Sequence, residues 1–104
     1  MRRPYIIKQI KETMRTSQHD VQLILYGSEA RGDAREDSDI DLLVLTPGNS
    51  ITPGNEHDII RRLYEIELRT GVIINPLIMP TEKWEHRALQ TPFSINVKRE
   101  GIIL

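Results

Sequence analysis

The sequence predicts a small α/β (α+β) domain: a mixed sheet of three or four strands with helices packed mainly on one face. Three observations carry that prediction. Apolar residues recur at helical spacing in two stretches, residues 6–14 and 59–66. Three short apolar runs, at residues 21–26, 39–45 and 72–79, are bounded by turn residues. The runs alternate with the helical stretches, the order expected of an α/β or α+β sheet. At 104 residues the chain is long enough for one core, so 1–104 is read as a single domain.

Taken in order, Ile6, Ile7, Ile10 and Met14 form one face of a helix from Pro4 to about Thr16, with Pro4 in the first turn, where a missing N–H costs nothing. Val21–Tyr26 is a strand buried on both faces, and Gly27 breaks it. A short helix or helical turn follows, from Ser28 to about Arg35. Asp37-Ser38 then turns the chain into a second strand, Asp39–Leu45. Period-two geometry puts Asp39, Asp41, Leu43 and Leu45 on one face and the apolar Ile40, Leu42 and Val44 on the other, under helices. Thr52-Pro53 signals the start of the longest helix, whose stripe is Ile59, Leu63 and Ile66 with Ile60 beside them, and Gly71 stops it. In the third strand, Val72–Met79, Pro76 cannot donate to a ladder, which implies an edge, a bulge or an early end to pairing. Thr81 is expected to cap a short helix through about Leu89 that carries Trp84 inward. Thr91-Pro92 opens a last helix with Phe93 and Val97 on one side, stopping at Gly101. The apolar tail Ile102–Leu104 either adds a short strand or packs against a partner, which includes a second copy in a homo-oligomer.

Composition narrows the function. With 14 Lys and Arg against 15 Asp and Glu, the net charge of −1 supplies no basic field and argues against a nucleic-acid partner. The absence of cysteine removes disulfide and thiolate chemistry and fits a cytoplasmic protein. The N-terminal Ile6-Ile7 pair is far shorter than a signal segment, and no apolar run reaches membrane-spanning length.

The chemistry concentrates in Leu25–Leu45. A Gly27-Ser28 turn at a helix start can offer free N–H groups and a hydroxyl to phosphate oxygens, and Gly27 lets the backbone come close. Arg31, one turn on, can reach a phosphate or a nearby carboxylate. Asp39 and Asp41, about 6–7 Å apart at Cβ, can converge on one or two hard cations such as Mg²⁺. Alone, Gly-Ser is a common turn and Asp-x-Asp the exposed half of an edge strand. Together, two acids opening an apolar strand are costly unless cations pair with them, and the turn lies where it can supply phosphate donors.

Gly27-Ser28-x-Ala30-Arg31-Gly32-Asp33 followed by Asp39-Ile40-Asp41-Leu42-Leu43-Val44 resembles the minimal nucleotidyltransferases of the DNA polymerase β superfamily. The resemblance implies a polymerase-β-like fold, ATP with Mg²⁺, Gly27 and Ser28 at the triphosphate, and Asp39 and Asp41 as catalytic metal ligands. Many short proteins of this type resemble antitoxins that adenylylate a HEPN-domain partner protein on tyrosine. The superfamily usually carries a third acid on the next strand, where this chain offers only Asn75. An amide can give a metal its carbonyl oxygen but cannot take a proton as a carboxylate does, so binding without turnover is the rival reading. Glu67 and Glu82 are too far along the chain to substitute.

Other polar residues read as surface. Glu29, Asp33, Glu36 and Asp37 form a solvated rim, with Asp33 or Asp37 able to assist a metal. His19, His57 and His86 are scattered, and Arg61, Arg62 and Arg69 form the wet face of the long helix. Trp84 is a core anchor sooner than a stacking platform.

Overall fold

The computed structural model describes residues 2–86 and 91–104. Helix α1 (Pro4–Arg15), strand β1 (Gln22–Tyr26), helix α2 (Gly27–Arg31) and strand β2 (Ile40–Thr46) are followed by α3 (Pro53–Thr70), β3 (Ile74–Pro80), α4 (Thr81–Glu85), α5 (Pro92–Glu100) and β4 (Ile102–Ile103). The sheet runs β3-β2-β1-β4. β1 is antiparallel to β2 and to β4, whereas β2 and β3 are parallel, as the α3 crossover between them requires. The sheet is therefore mixed and four-stranded.

The strand pleat sorts the core into two layers. Ile40, Leu42 and Val44 join Leu23 and Leu25 beneath the two long helices, packed by Ile6, Ile10, Ile59, Leu63 and Ile66. Leu43 and Leu45 face the other way, against Trp84 and Val97, with Ile24, Tyr26, Met79 and Phe93 packed alongside. Both faces of β2 are thus covered, which explains its continuous apolar run after Asp41. Fully burying each of these aliphatic side chains contributes roughly 1.5–3 kcal/mol. Ile60, expected beside the α3 stripe, is instead 43% exposed on the solvent side.

The start and stop signals act as their chemistry dictates. Thr52 Oγ1 accepts from the Asn55 N–H, and Thr91 with Ser94 makes a reciprocal capping box. Gly71 closes α3 with its N–H on the Glu67 carbonyl. Thr81 departs from expectation: it is the first residue of α4, and its hydroxyl donates to the Thr46 carbonyl at 2.8 Å, tying that helix to the end of β2. The predicted end of that helix near Leu89 lies outside the described residues. The helix after Ser28 ends at Arg31, because Gly32 turns left-handed (φ 82°). The C-terminal tail does add a strand, pairing Ile102 with Leu25 and Ile103 with Ile24.

His19 is not a bare surface histidine. Its Nε2 meets Asp58 Oδ2 at 2.7 Å, and the same carboxylate accepts from Arg61 and Arg62, joining the α1–β1 connector to α3. The hydrogen bonds from Arg62, His19 and Arg61 hold the Asp58 carboxyl well below the usual range. A depressed carboxyl pKa stabilises above its unfolded value and loses that contribution as pH falls through the folded one. Asp58→Asn is therefore expected to lower Tm at neutral pH and to flatten the acid limb of wild-type stability below about pH 5. Thermal melts across that range check it; parallel limbs would contradict it.

Candidate functional site

Strand register brings the site together. Tyr26, the last residue of β1, pairs with Asp41, which pairs in turn with Asn75 on β3. Three neighbouring strands therefore place these residues in one row at the same end of the sheet, on the face that carries α5. Asp39, just ahead of β2, lies beside them. Asn75 Nδ2 donates to Asp39 Oδ2 at 2.9 Å and lies 3.5 Å from Asp41 Oδ1, so one amide bridges both carboxylates. On the strand beside the two acids, Asn75 thus contacts both of them. A half-turn of that amide about its last side-chain bond would present Oδ1 to a cation instead. Glu67 is elsewhere, its Oε1 accepting from the Ile74 N–H at 2.7 Å.

The chain leaves β1 through Gly27, whose φ of +74° is left-handed. A Cβ there would overlap Asp41 Oδ2, so this glycine is required both for the turn and for the close passage of backbone over the acid. Tyr26, Gly27, Ser28, Arg31, Asp41, Phe93, Asn96, Val97 and Glu100 line a cleft of about 380 Å³. Burial pushes the Tyr26 phenol up, and the Asp41 charge adds to the shift. Arg31, itself exposed, reaches two carboxylates: Nη1 lies 3.3 Å from Glu100 and Nε 3.4 Å from Asp33. The bonds to Glu100 and Asp33 push its pKa further up, so it stays a fixed cation at the cleft wall.

Two features escaped the sequence. Phe93, Asn96 and Glu100 build the far wall of the cleft from α5, and no local pattern marks them as belonging near Gly27. Glu29, read there as solvated rim, is fully buried and ion-paired with Arg3 at 2.7 Å. Burial pushes its carboxyl up, but hydrogen bonds from the Arg3 side chain and from the Arg3 and Arg2 backbones outweigh that and hold it below the usual range.

As a donor set, Asp39, Asp41 and a turned Asn75 supply hard oxygens on one face, which fits Mg²⁺. Among the described residues no group of three or more His, Cys, Asp or Glu is gathered to hold a metal. An ion here would need oxygens from elsewhere, as Mg²⁺ takes them from substrate phosphates.

The crystal structure of "a putative nucleotidyltransferase from Sulfolobus solfataricus" matches with a TM-score of 0.56 over 95% of this chain and 76% of its own, at 19% identity, and shares the polymerase-β-like fold. Residues 7–102 match the nucleotidyltransferase domain, and the chain belongs to that family. Two relatives from Methanocaldococcus jannaschii agree. "Putative protein adenylyltransferase MJ0141" is 31% identical over 93% of each chain. "Putative protein adenylyltransferase MJ0604" is 34% identical over 80% of this chain and 76% of its own. Among the described residues no helix is long and apolar enough to cross a membrane.

Proposed function

We propose that this nucleotidyltransferase moves AMP from ATP to a hydroxyl of a protein acceptor, in the cytoplasm. The observation that carries the reading is the row Tyr26–Asp41–Asn75, which sets Asp41 beside the Gly27-Ser28 turn in a single cleft, with Asp39 joined to it through the Asn75 amide. Gly27 and Ser28 receive the triphosphate, with Arg31 as the fixed cation beside it. Asp39 and Asp41 would hold Mg²⁺, which when bound would neutralise charge on the phosphate oxygens. The acceptor oxygen bonds to the α-phosphorus as the bond to the β-phosphate oxygen breaks, and pyrophosphate leaves with that electron pair. The acceptor proton passes to solvent water, because the Asn75 amide cannot take it and the two carboxylates are committed to the cation. The names of the Methanocaldococcus relatives support a protein acceptor. The resemblance to antitoxins makes a HEPN-domain protein encoded beside this chain the leading acceptor, with a tyrosine as its target. Label transfer from α-³²P-ATP with Mg²⁺ to that protein tests the reading. Wild type as silent as Asp39→Asn would count against it.

Asn75 favours a second reading, a nucleotide-binding module that restrains its partner by contact without turnover. Asn75→Asp separates the two. Should the amide limit the chemistry, restoring an acid raises Mg²⁺-dependent labelling by about 10²-fold, the lower end for an added proton acceptor. Equal rates for variant and wild type would show that Asn75 does not hold the reaction back.

A further inference from the structure

Glu29 is the one acidic side chain among the described residues that is wholly buried. It follows Ser28 on α2, a helix of five residues with no side-chain cap, too short to be stable alone. Its carboxylate takes three hydrogen bonds from the segment ahead of α1. Oε2 accepts the Arg2 N–H at 2.6 Å and the Arg3 N–H at 2.9 Å, and Oε1 accepts Arg3 Nε at 2.7 Å. Arg3 Nη1 reaches on to the Glu36 carbonyl at 3.2 Å, in the loop that leads to Asp39. Arg3 Nη2 is buried with no partner. An unsatisfied buried guanidinium nitrogen is costly, and a buried ion pair gains little net stability over apolar packing. What the arrangement does achieve is geometric: it fastens the Gly27–Arg31 turn and the approach to Asp39 to one fixed point.

We infer that Glu29 is a positioning residue, clasped by Arg2 and Arg3, that holds the Gly27-Ser28 turn in place over Asp41. Its consequence for substrate rests on the nucleotide reading above. The test uses the full chain as wild type, Glu29→Gln, Arg3→Lys and a core control, Ile59→Val. Two readouts are taken: amide hydrogen exchange, and Mg·ATP affinity by calorimetry. Glu29→Gln is expected to speed exchange of the 27–33 amides about tenfold relative to those of α3. It weakens Mg·ATP binding by about tenfold, through misplacement of the turn. Arg3→Lys, which keeps the charge and the two backbone donors, shows a smaller change in both, and it carries the test alone if Glu29→Gln does not fold. Ile59→Val lowers Tm and moves neither. Exchange rising no more in 27–33 than in α3 overturns the clasp. Exchange loosened with ATP affinity unchanged overturns the positioning role. Wild type with no ATP affinity overturns the nucleotide reading instead, and the exchange data still decide the clasp.

Discussion

Asp41→Asn is expected to lower nucleotide transfer by roughly a thousandfold while leaving the domain folded, because it removes several kcal/mol of cation-mediated charge stabilisation. The substitution keeps the shape of the side chain and its contact with Asn75, where the amide Oδ1 still accepts. Asp41 is half-buried, so the change in stability should stay within about 1 kcal/mol. A second signal confirms that the charge and not the fold was lost. Burial is the larger cause of the raised Tyr26 pKa and Asp41 the smaller, so the variant should relax only part of that shift. Ultraviolet titration of tyrosine reads it, and label transfer reads the chemistry. Wild-type transfer by Asp41→Asn would remove the acid pair from the mechanism.

Gly27→Ala carries the next largest effect, and Gly32→Ala is its natural comparison. Both glycines have left-handed backbones, at φ 74° and 82°. A Cβ on Gly32 meets nothing within 4 Å, whereas one on Gly27 overlaps the Asp41 carboxylate. Gly32→Ala should therefore cost only the backbone term, about 1–2 kcal/mol, with nucleotide affinity retained. Gly27→Ala adds a displaced carboxylate, for a total of about 2–4 kcal/mol, and ATP binding should be lost. For a domain of this size each kcal/mol is about 4–8 °C in Tm, so thermal melts separate the two. Equal losses of affinity would mean that the turn, and not its clearance over Asp41, is what matters.

Much of this was legible in the residues because the signals are local. Thr52-Pro53, Thr91-Pro92 and Gly71 satisfy or end backbone groups within one turn, so their roles follow from nearest neighbours. The alternation Asp41, Leu43, Leu45 against Ile40, Leu42, Val44 is equally local, and the two core layers divide along it. What hydropathy could not reveal were partners distant in sequence. Glu29 lies in an acid-rich loop and reads as wet until Arg3, 26 residues away, is seen against it. Asp58 and His19 meet across 39 residues. The α5 wall of the cleft comes from residues some seventy positions beyond the Gly27 turn, brought there because Val97 and Phe93 pack on the β1–β2 face. Thr81 reads as a cap by type, and only the nearby Thr46 carbonyl redirects its hydroxyl.

The outer rim of β3 has a consequence for how the molecule behaves in a crowd. Ile40 donates to the Ile73 carbonyl, so odd-numbered β3 residues turn their backbone toward β2 and even-numbered ones turn away. Of the outward positions, Ile74 has its N–H taken by Glu67, and Pro76 and Pro80 have none to give, which leaves Ile78 as the lone outward donor. At the opposite rim β4 is only two residues long. Neither border of the sheet offers the row of donors that templates edge-to-edge polymerisation. At the β3 rim the fold resists growing into a fibre by strand addition.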